Sequence, residues 1–199
     1  AYAITGCAGE TEDAAEVGVK IDTTTKKPVT TDSSKKIYVW TQKSGTKAST
    51  TGTIYGIYDM SGGAWERSAG LVNNGNANLS TYGQSMLNAL NNGKSSKYVT
   101  VYPYDSSVDK DGANIDTASA ANWKANTKIY GDGIRETSTA GTGKTSWYGD
   151  YSYFPAVNSP FSKRGGGYWV TDGAGLFSFY RAGGNSDYSS GFRSVLVAQ

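Results

Sequence analysis

The chain has 199 residues, a formal net charge of +2, 26 glycines, 15 tyrosines, only 18% charged residues, one cysteine and no histidine. Near-neutral charge without a long Lys/Arg run argues against a nucleic-acid partner read through phosphates. The missing histidine removes the usual general base, the usual zinc ligand and every Ser-His or Cys-His pair, and the lone Cys7 excludes an intrachain disulfide and a C-x-x-C metal motif.

The length suits one domain, or one domain with an extension, and 1–52 and 53–199 are the expected divisions. In the first division Val17, Val19 and Ile21 alternate with Gly18 and Lys20, and Ile37 and Val39 with Tyr38 and Trp40, the period of half-buried strands. Between them Thr23 to Lys36 is Thr-, Ser- and Lys-rich, and is expected as a mobile loop or a hairpin tip. Cys7 reads as a small buried hydrophobe.

Thr53 to Gly70, TIYGIYDMSGGAWERSAG, concentrates apolar residues, two carboxylates, four glycines and a tryptophan. Tyr55, Ile57 and Asp59 fall on one side of an extended segment and Ile54, Gly56 and Tyr58 on the other, giving a short strand that enters a turn at Ser61 to Gly63. Met60 and Trp65 are the expected core anchors, and Asp59 and Glu66 flank the turn, either as acceptors for backbone N–H groups or as chemistry-bearing carboxylates.

Leu79, Met86, Leu87 and Leu90 have near-helical spacing, with Ser80 or Thr81 as cap and Gly93 as stop. KYVTVYPY, Lys97 to Tyr104, is a strand ended by Pro103. In the acidic segment Asp105 to Asp116, the residues Asp109, Asp111, Asn114 and Asp116 are hard oxygen ligands around a glycine turn, a weak calcium candidate without EF-hand spacing or its bidentate Glu. Thr117 to Lys128 predicts a second helix, capped by Asp116 or Thr117 and burying Trp123. Ser138 to Ser146 contains GKT but lacks the first glycine of a phosphate loop, the strand before it and the apolar helix after it, so it reads as a glycine-rich loop.

In the closing third, Ala174 and Leu176 alternate with Gly175, Phe177 and Phe179 as one strand, and Phe192 and Leu196 with Val195 and Val197 as a terminal one. The segments around them hold Tyr168, Trp169, Tyr180, Arg181, Asn185, Asp187 and Tyr188, a mixture of rigid aromatic and adaptable polar groups typical of binding loops. Two readings stand for these side chains: a ligand-binding surface, or aromatics that cover the core.

YGIYDMSGGAWE, SWYGDYSYFP at Ser146 to Pro155 and RGGGYWVTDGAGLFSFYRAGGNSDYSSGFRSVL at Arg164 to Leu196 occur in the order found in the formylglycine-generating-enzyme-like (sulfatase-modifying-factor) module, which this chain resembles over roughly 53–196. The resemblance implies an α+β, C-type-lectin-like fold: short helices around a small, mainly antiparallel twisted sheet, with long glycine-rich loops. It also implies a helix and a Trp-bearing strand upstream of the central turn, a pair not found in 1–51; a cleaved or separate N-terminal helical segment, as in pilin-linked relatives, is the expectation that follows.

The family's oxidase chemistry uses cysteines in the closing third, and its iron-dependent branch uses histidines; this chain has neither there. The expectation is therefore not an enzyme but an extracellular or cell-surface ligand-binding or adhesin module, without cofactor unless calcium binds, whose partner is a protein or glycan. The alternative is a structural subunit of an extracellular filament or a phage particle, held by its neighbouring subunits. A formylglycine-generating-type oxidase ranks third. The apolar runs are too short for a membrane span, and the absence of a signal peptide fits a mature product or a fragment.

Overall fold

The structure is a computed structural model. It describes residues 64–108, 114–126, 131–167, 170, 173–187 and 189–192, together with Thr24, Thr51, Thr53, Tyr55, Gly56 and the backbone of four short strands near the start. Those strands are β1 (Ile4–Thr5), β2 (Lys20–Ile21), β3 (Pro28–Val29) and β4 (Tyr38–Val39). They form two antiparallel pairs, β1 with β4 and β2 with β3. Thr24, between the two strands of the second pair, is an exposed turn residue.

A small mixed sheet organises the rest. Its centre is β5 (Trp65–Val72), which pairs antiparallel with β7 (Phe161–Arg164) and parallel with β6 (Thr100–Tyr102) and β9 (Ser190–Gly191); β8 (Phe179–Ala182) adds antiparallel to β7. The two parallel partners make the sheet mixed and not mainly antiparallel. Around it lie the short helices α1 (Ala77–Tyr82), α2 (Gln84–Asn88), α3 (Ile115–Ala125) and α4 (Gly133–Glu136). The architecture is α+β, and among the described residues no helix is long and apolar enough to cross a membrane.

Successive residues of β5 point to opposite faces, and both faces are covered. Val72 joins Tyr102, Ile134, Phe154 and Phe179, with Trp123 against them, while Leu71 joins Leu79, Val99 and Phe161 beneath Met86, Leu87 and Leu90 of the α1 and α2 region. The register of β5 and β7 shifts between Arg67 and Leu71. Gly70 lies in that stretch and packs closely, since a Cβ there would sit 2.6 Å from Ser162 Oγ and 3.0 Å from the Tyr102 ring.

Several boundaries differ from the sequence expectations, each for a local reason. Tyr55 and Gly56 occupy a turn and a bend, and the strand starts at Trp65, which is 2% exposed as expected of a core anchor. Ile54, Asp59 and Met60 lie outside the described residues. The first helix begins at Ala77, because Asn76 Oδ1 and not Ser80 or Thr81 caps it, accepting from Asn78 N–H at 2.9 Å. It breaks at Gly83, where a Cβ would meet the Phe161 ring and Leu79 O, and the following helix ends at Asn88, before Gly93.

Helix α3 starts at Ile115 because Asn114, not Asp116 or Thr117, accepts the first-turn N–H groups. Its buried face is polar: Asn122 Nδ2 donates to Pro155 O at 2.9 Å, Asn122 Oδ1 accepts from Asp105 N–H at 2.8 Å, and Ser119 Oγ donates to Phe154 O. These side chains satisfy backbone groups of long connections that lack a ladder. Trp123 is only half-buried, beneath the Arg135 guanidinium at 3.6 Å from its ring. Residues 174–178 are turns and not a strand, held by Gly173 N–H to Val170 O and Ser178 N–H to Gly175 O, both at 3.0 Å. The expected terminal strand beyond Phe192 lies outside the described residues.

Candidate functional site

Cross-strand partners share a sheet face, so the register places Arg67 of β5, Lys163 of β7 and Tyr180 of β8 in one row. Two residues along β7 in the same direction, Phe161 is paired with Leu71 and Ala182 and roofed by the α1 and α2 region. Along one face the sheet thus passes from an apolar end under helices to a cationic end under the loop that follows β8. Beneath that loop is an open cavity of about 300 Å³, lined by Arg67, Lys163, Tyr180, Arg181, Asn185 and Asp187, with Ile115, Ser159, Ala182, Gly183 and Ser190 completing it. Its size lies at the lower end of ligand sites.

Lys163 forms the floor. It is 8% exposed, its Nζ lies 5.2 Å from the centre of the Trp65 ring and 5.6 Å from that of Tyr180, and it donates to Ser190 Oγ at 3.4 Å. Asp187 Oδ2 stands 4.0 Å away. Burial pushes the Lys163 ammonium below the ordinary lysine range, the Asp187 charge works in the opposite direction, and Arg67 adds to the lowering.

The carboxylate of Asp187 is mainly occupied by its own turn: Oδ2 accepts from Ser189 Oγ at 2.6 Å and Oδ1 from Ser189 N–H at 3.0 Å, bonds that hold its pKa below the usual carboxylate range, with Lys163 a smaller cause. Arg67 reaches the same loop, where its Nη2 donates to Asn185 O. Tyr180 is a half-buried wall, tilted against Trp65 at 5.2 Å and Tyr153 at 4.9 Å between ring centres. Arg181 reaches across to α3 at the side of the cavity, where Nη2 donates to Asp116 Oδ1 at 2.6 Å and Nη1 to Ser119 Oγ at 2.9 Å and Ile115 O at 3.3 Å.

Of the seven residues singled out in the sequence, the structure brings Tyr180, Arg181, Asn185 and Asp187 to this one cavity; Tyr168, Trp169 and Tyr188 lie outside the described residues. Arg67 and Lys163, which also line it, are not among the seven. The available signal was period two: Lys163 stands two residues from Phe161, so burying Phe161 carries Lys163 onto a packed face.

The calcium candidates divide similarly. Asn114 Oδ1 accepts from the N–H groups of Asp116 and Thr117, Asp116 Oδ1 receives Arg181, and Asp109 and Asp111 lie outside the described residues. Among the described residues no group of three or more His, Cys, Asp or Glu side chains is placed to share an ion.

The GKT stretch is a closed loop, with Ser138 bridged to Ser146 and Gly141 packed on Trp123, and a single 3-10 turn, Trp147–Gly149, follows it. Comparison of the chain with protein-family models, with curated proteins and with solved structures finds no match.

Proposed function

We propose that the chain is a non-catalytic ligand-binding module of an extracellular or cell-surface protein, with a C-type-lectin-like fold and a formylglycine-generating-enzyme-like ancestry, and that its ligand is a protein or glycan. The observation that carries this reading is the convergence of Tyr180, Arg181, Asn185 and Asp187 with Arg67 and Lys163 on one open cavity. Loop groups set on a sheet are a common way to build a site, and this one joins an aromatic wall, donors and an acceptor. The cavity's cations and its short-range pairing favour recognition; catalysis by Asp59 and Glu66 draws no support from it. Binding of fluorescent chain to bacterial and animal cells and to immobilised glycans tests the reading. Tyr180→Ala is expected to reduce binding about tenfold or more, by analogy with aromatic hot spots; equal binding by the variant contradicts it.

A second reading, a structural subunit of a filament or phage particle, is favoured by a different surface. Trp147 is 54% exposed, Tyr148 90% and Leu176 53%, and both rings lean on Phe177 with centres 5.1 and 5.8 Å away. Contiguous apolar exposure of this kind marks contact surfaces. Sedimentation over a concentration series separates the two readings: a monomer throughout supports the binding module, and reversible growth abolished by Trp147→Ser supports the subunit.

A further inference from the structure

Resting on the ligand-binding reading, we infer that the cavity takes a carboxylate-bearing saccharide, a hexuronate unit, with its carboxylate on Lys163 Nζ and the Arg67 guanidinium and its hydroxyls on Asn185, Asp187 and Ser190. The first reason is unfilled donor capacity. An ammonium carries three donors, and among the described residues Lys163 has one long hydrogen bond, 3.4 Å to Ser190 Oγ, and a carboxylate at 4.0 Å that is too far to accept from it. A cation so deeply set requires acceptors, and an entering anion provides them.

Charge distribution is the second reason. Three cationic side chains line the cavity. Arg181 is matched by Asp116 of α3, whereas Arg67 meets only a backbone carbonyl among the described residues and Asp187 already receives the Ser189 bonds. A surplus of positive charge remains beside Lys163 and Arg67.

The third reason selects a sugar acid over a phosphate or a simple dianion. Asp187 stands within the same cavity and repels a dianion more strongly than a single carboxylate, and it retains acceptor capacity that a sugar hydroxyl donor fills. Asn185 and Ser190 add groups that donate and accept, and the Tyr180 ring offers an apolar wall to a pyranose face. The cavity volume of about 300 Å³ admits one pyranose ring.

Calorimetric titration of the full chain at pH 7 with methyl glucuronide, methyl galacturonide, the corresponding neutral methyl glycosides and a poly-glutamate peptide tests the inference. The expected result is binding of at least one uronide about tenfold or more tighter than its neutral counterpart, with Arg67→Gln reducing that binding about fivefold or more while the circular dichroism spectrum is unchanged. Arg67 is only half-buried, which makes it the variant of choice over Lys163. Equal binding of acidic and neutral glycosides, or a uronide affinity unaffected by Arg67→Gln, overturns the carboxylate assignment and leaves the ligand-binding reading intact. Binding of poly-glutamate without either uronide overturns the saccharide assignment. Failure of all these probes in a chain whose cell binding still depends on Tyr180 overturns the inference alone; loss of that dependence as well removes the reading it rests on.

Discussion

Arg181 on β8 reaches across to the first turn of α3 and holds Asp116 Oδ1 at 2.6 Å through Nη2, while Nη1 donates to Ser119 Oγ at 2.9 Å in the same helix. Arg181 is buried and Asp116 is exposed, so the arginine's fixed geometry supplies more of the linkage than the ion pair does. Arg181→Ala leaves Ser119 and the Ile115 carbonyl without their donor and is expected to destabilise the fold by about 2 to 4 kcal/mol, whereas Asp116→Ser should cost about 1 kcal/mol. Urea denaturation monitored by tryptophan fluorescence measures both; equal costs would show that the pair itself dominates.

Gly141 packs against α3 so closely that a Cβ would lie 2.7 Å from Ser119 O and 2.9 Å from Trp123 Cγ. Neither backbone nor an indole held by Arg135 gives way easily, so Gly141→Ala is expected to cost about 2 kcal/mol or more. Gly143→Ala should also destabilise, by about 1 kcal/mol, since its φ is +90° although a Cβ there would meet only Thr145 Cγ2, in ordinary contact at 3.9 Å. Thermal melts of the two variants distinguish a clash from backbone strain.

Tyr148 holds φ at +62°, a left-handed conformation costly for an aromatic residue. Tyr148→Gly is expected to gain about 1 kcal/mol, which corresponds to a rise in Tm of roughly 2 to 4 °C for a chain of this size. A fall in Tm would show that stacking on Phe177 outweighs the strain. If the second reading of function holds, the same substitution weakens self-association while strengthening the fold, the pattern expected where strain is retained for a contact.

Lys163 makes stability depend on pH. Its folded pKa is lowered, so between that value and the ordinary lysine pKa the unfolded chain binds more protons than the folded one, and stability rises with pH across this window. Below the folded value the penalty for the buried cation is fully present. Lys163→Met should flatten the alkaline rise and increase stability at pH 7 by about 1 kcal/mol, because the desolvated ammonium, only partly offset by Asp187, is gone. Urea midpoints from pH 7 to 10.5 measure both effects. Asp187 contributes with the other sign: its lowered pKa adds stability above the ordinary carboxylate range that is lost as pH falls through the folded value.

The sequence makes the α+β class legible because the strand pattern of Lys97 to Tyr104, which holds β6, and the helical spacing of Leu79, Met86, Leu87 and Leu90 are local signals. It does not make boundaries legible where a polar side chain outcompetes them: Asn76 and Asn114 cap helices ahead of the Ser, Thr and Asp residues that pattern alone favours. Nor does it reveal that α3 and its C-cap bury Ser119, Asn122 and Asn126, since their partners include backbone groups of loops distant in sequence. At the site, Tyr180, Asn185 and Asp187 stand out by composition because they are clustered in sequence. Arg67 and Lys163 do not, because about a hundred residues separate them and only the register of β5 on β7 makes them neighbours.

The central claim is that recognition occurs at the cationic cavity, and amide chemical-shift mapping tests it most directly. With a bound glycan or partner fragment added to isotope-labelled chain, the account predicts shifts concentrated at Arg67, Lys163 and residues 180–190, with Trp147, Tyr148 and Leu176 unmoved. Shifts confined to Trp147, Tyr148 and Leu176 that grow with protein concentration in the absence of ligand would contradict it.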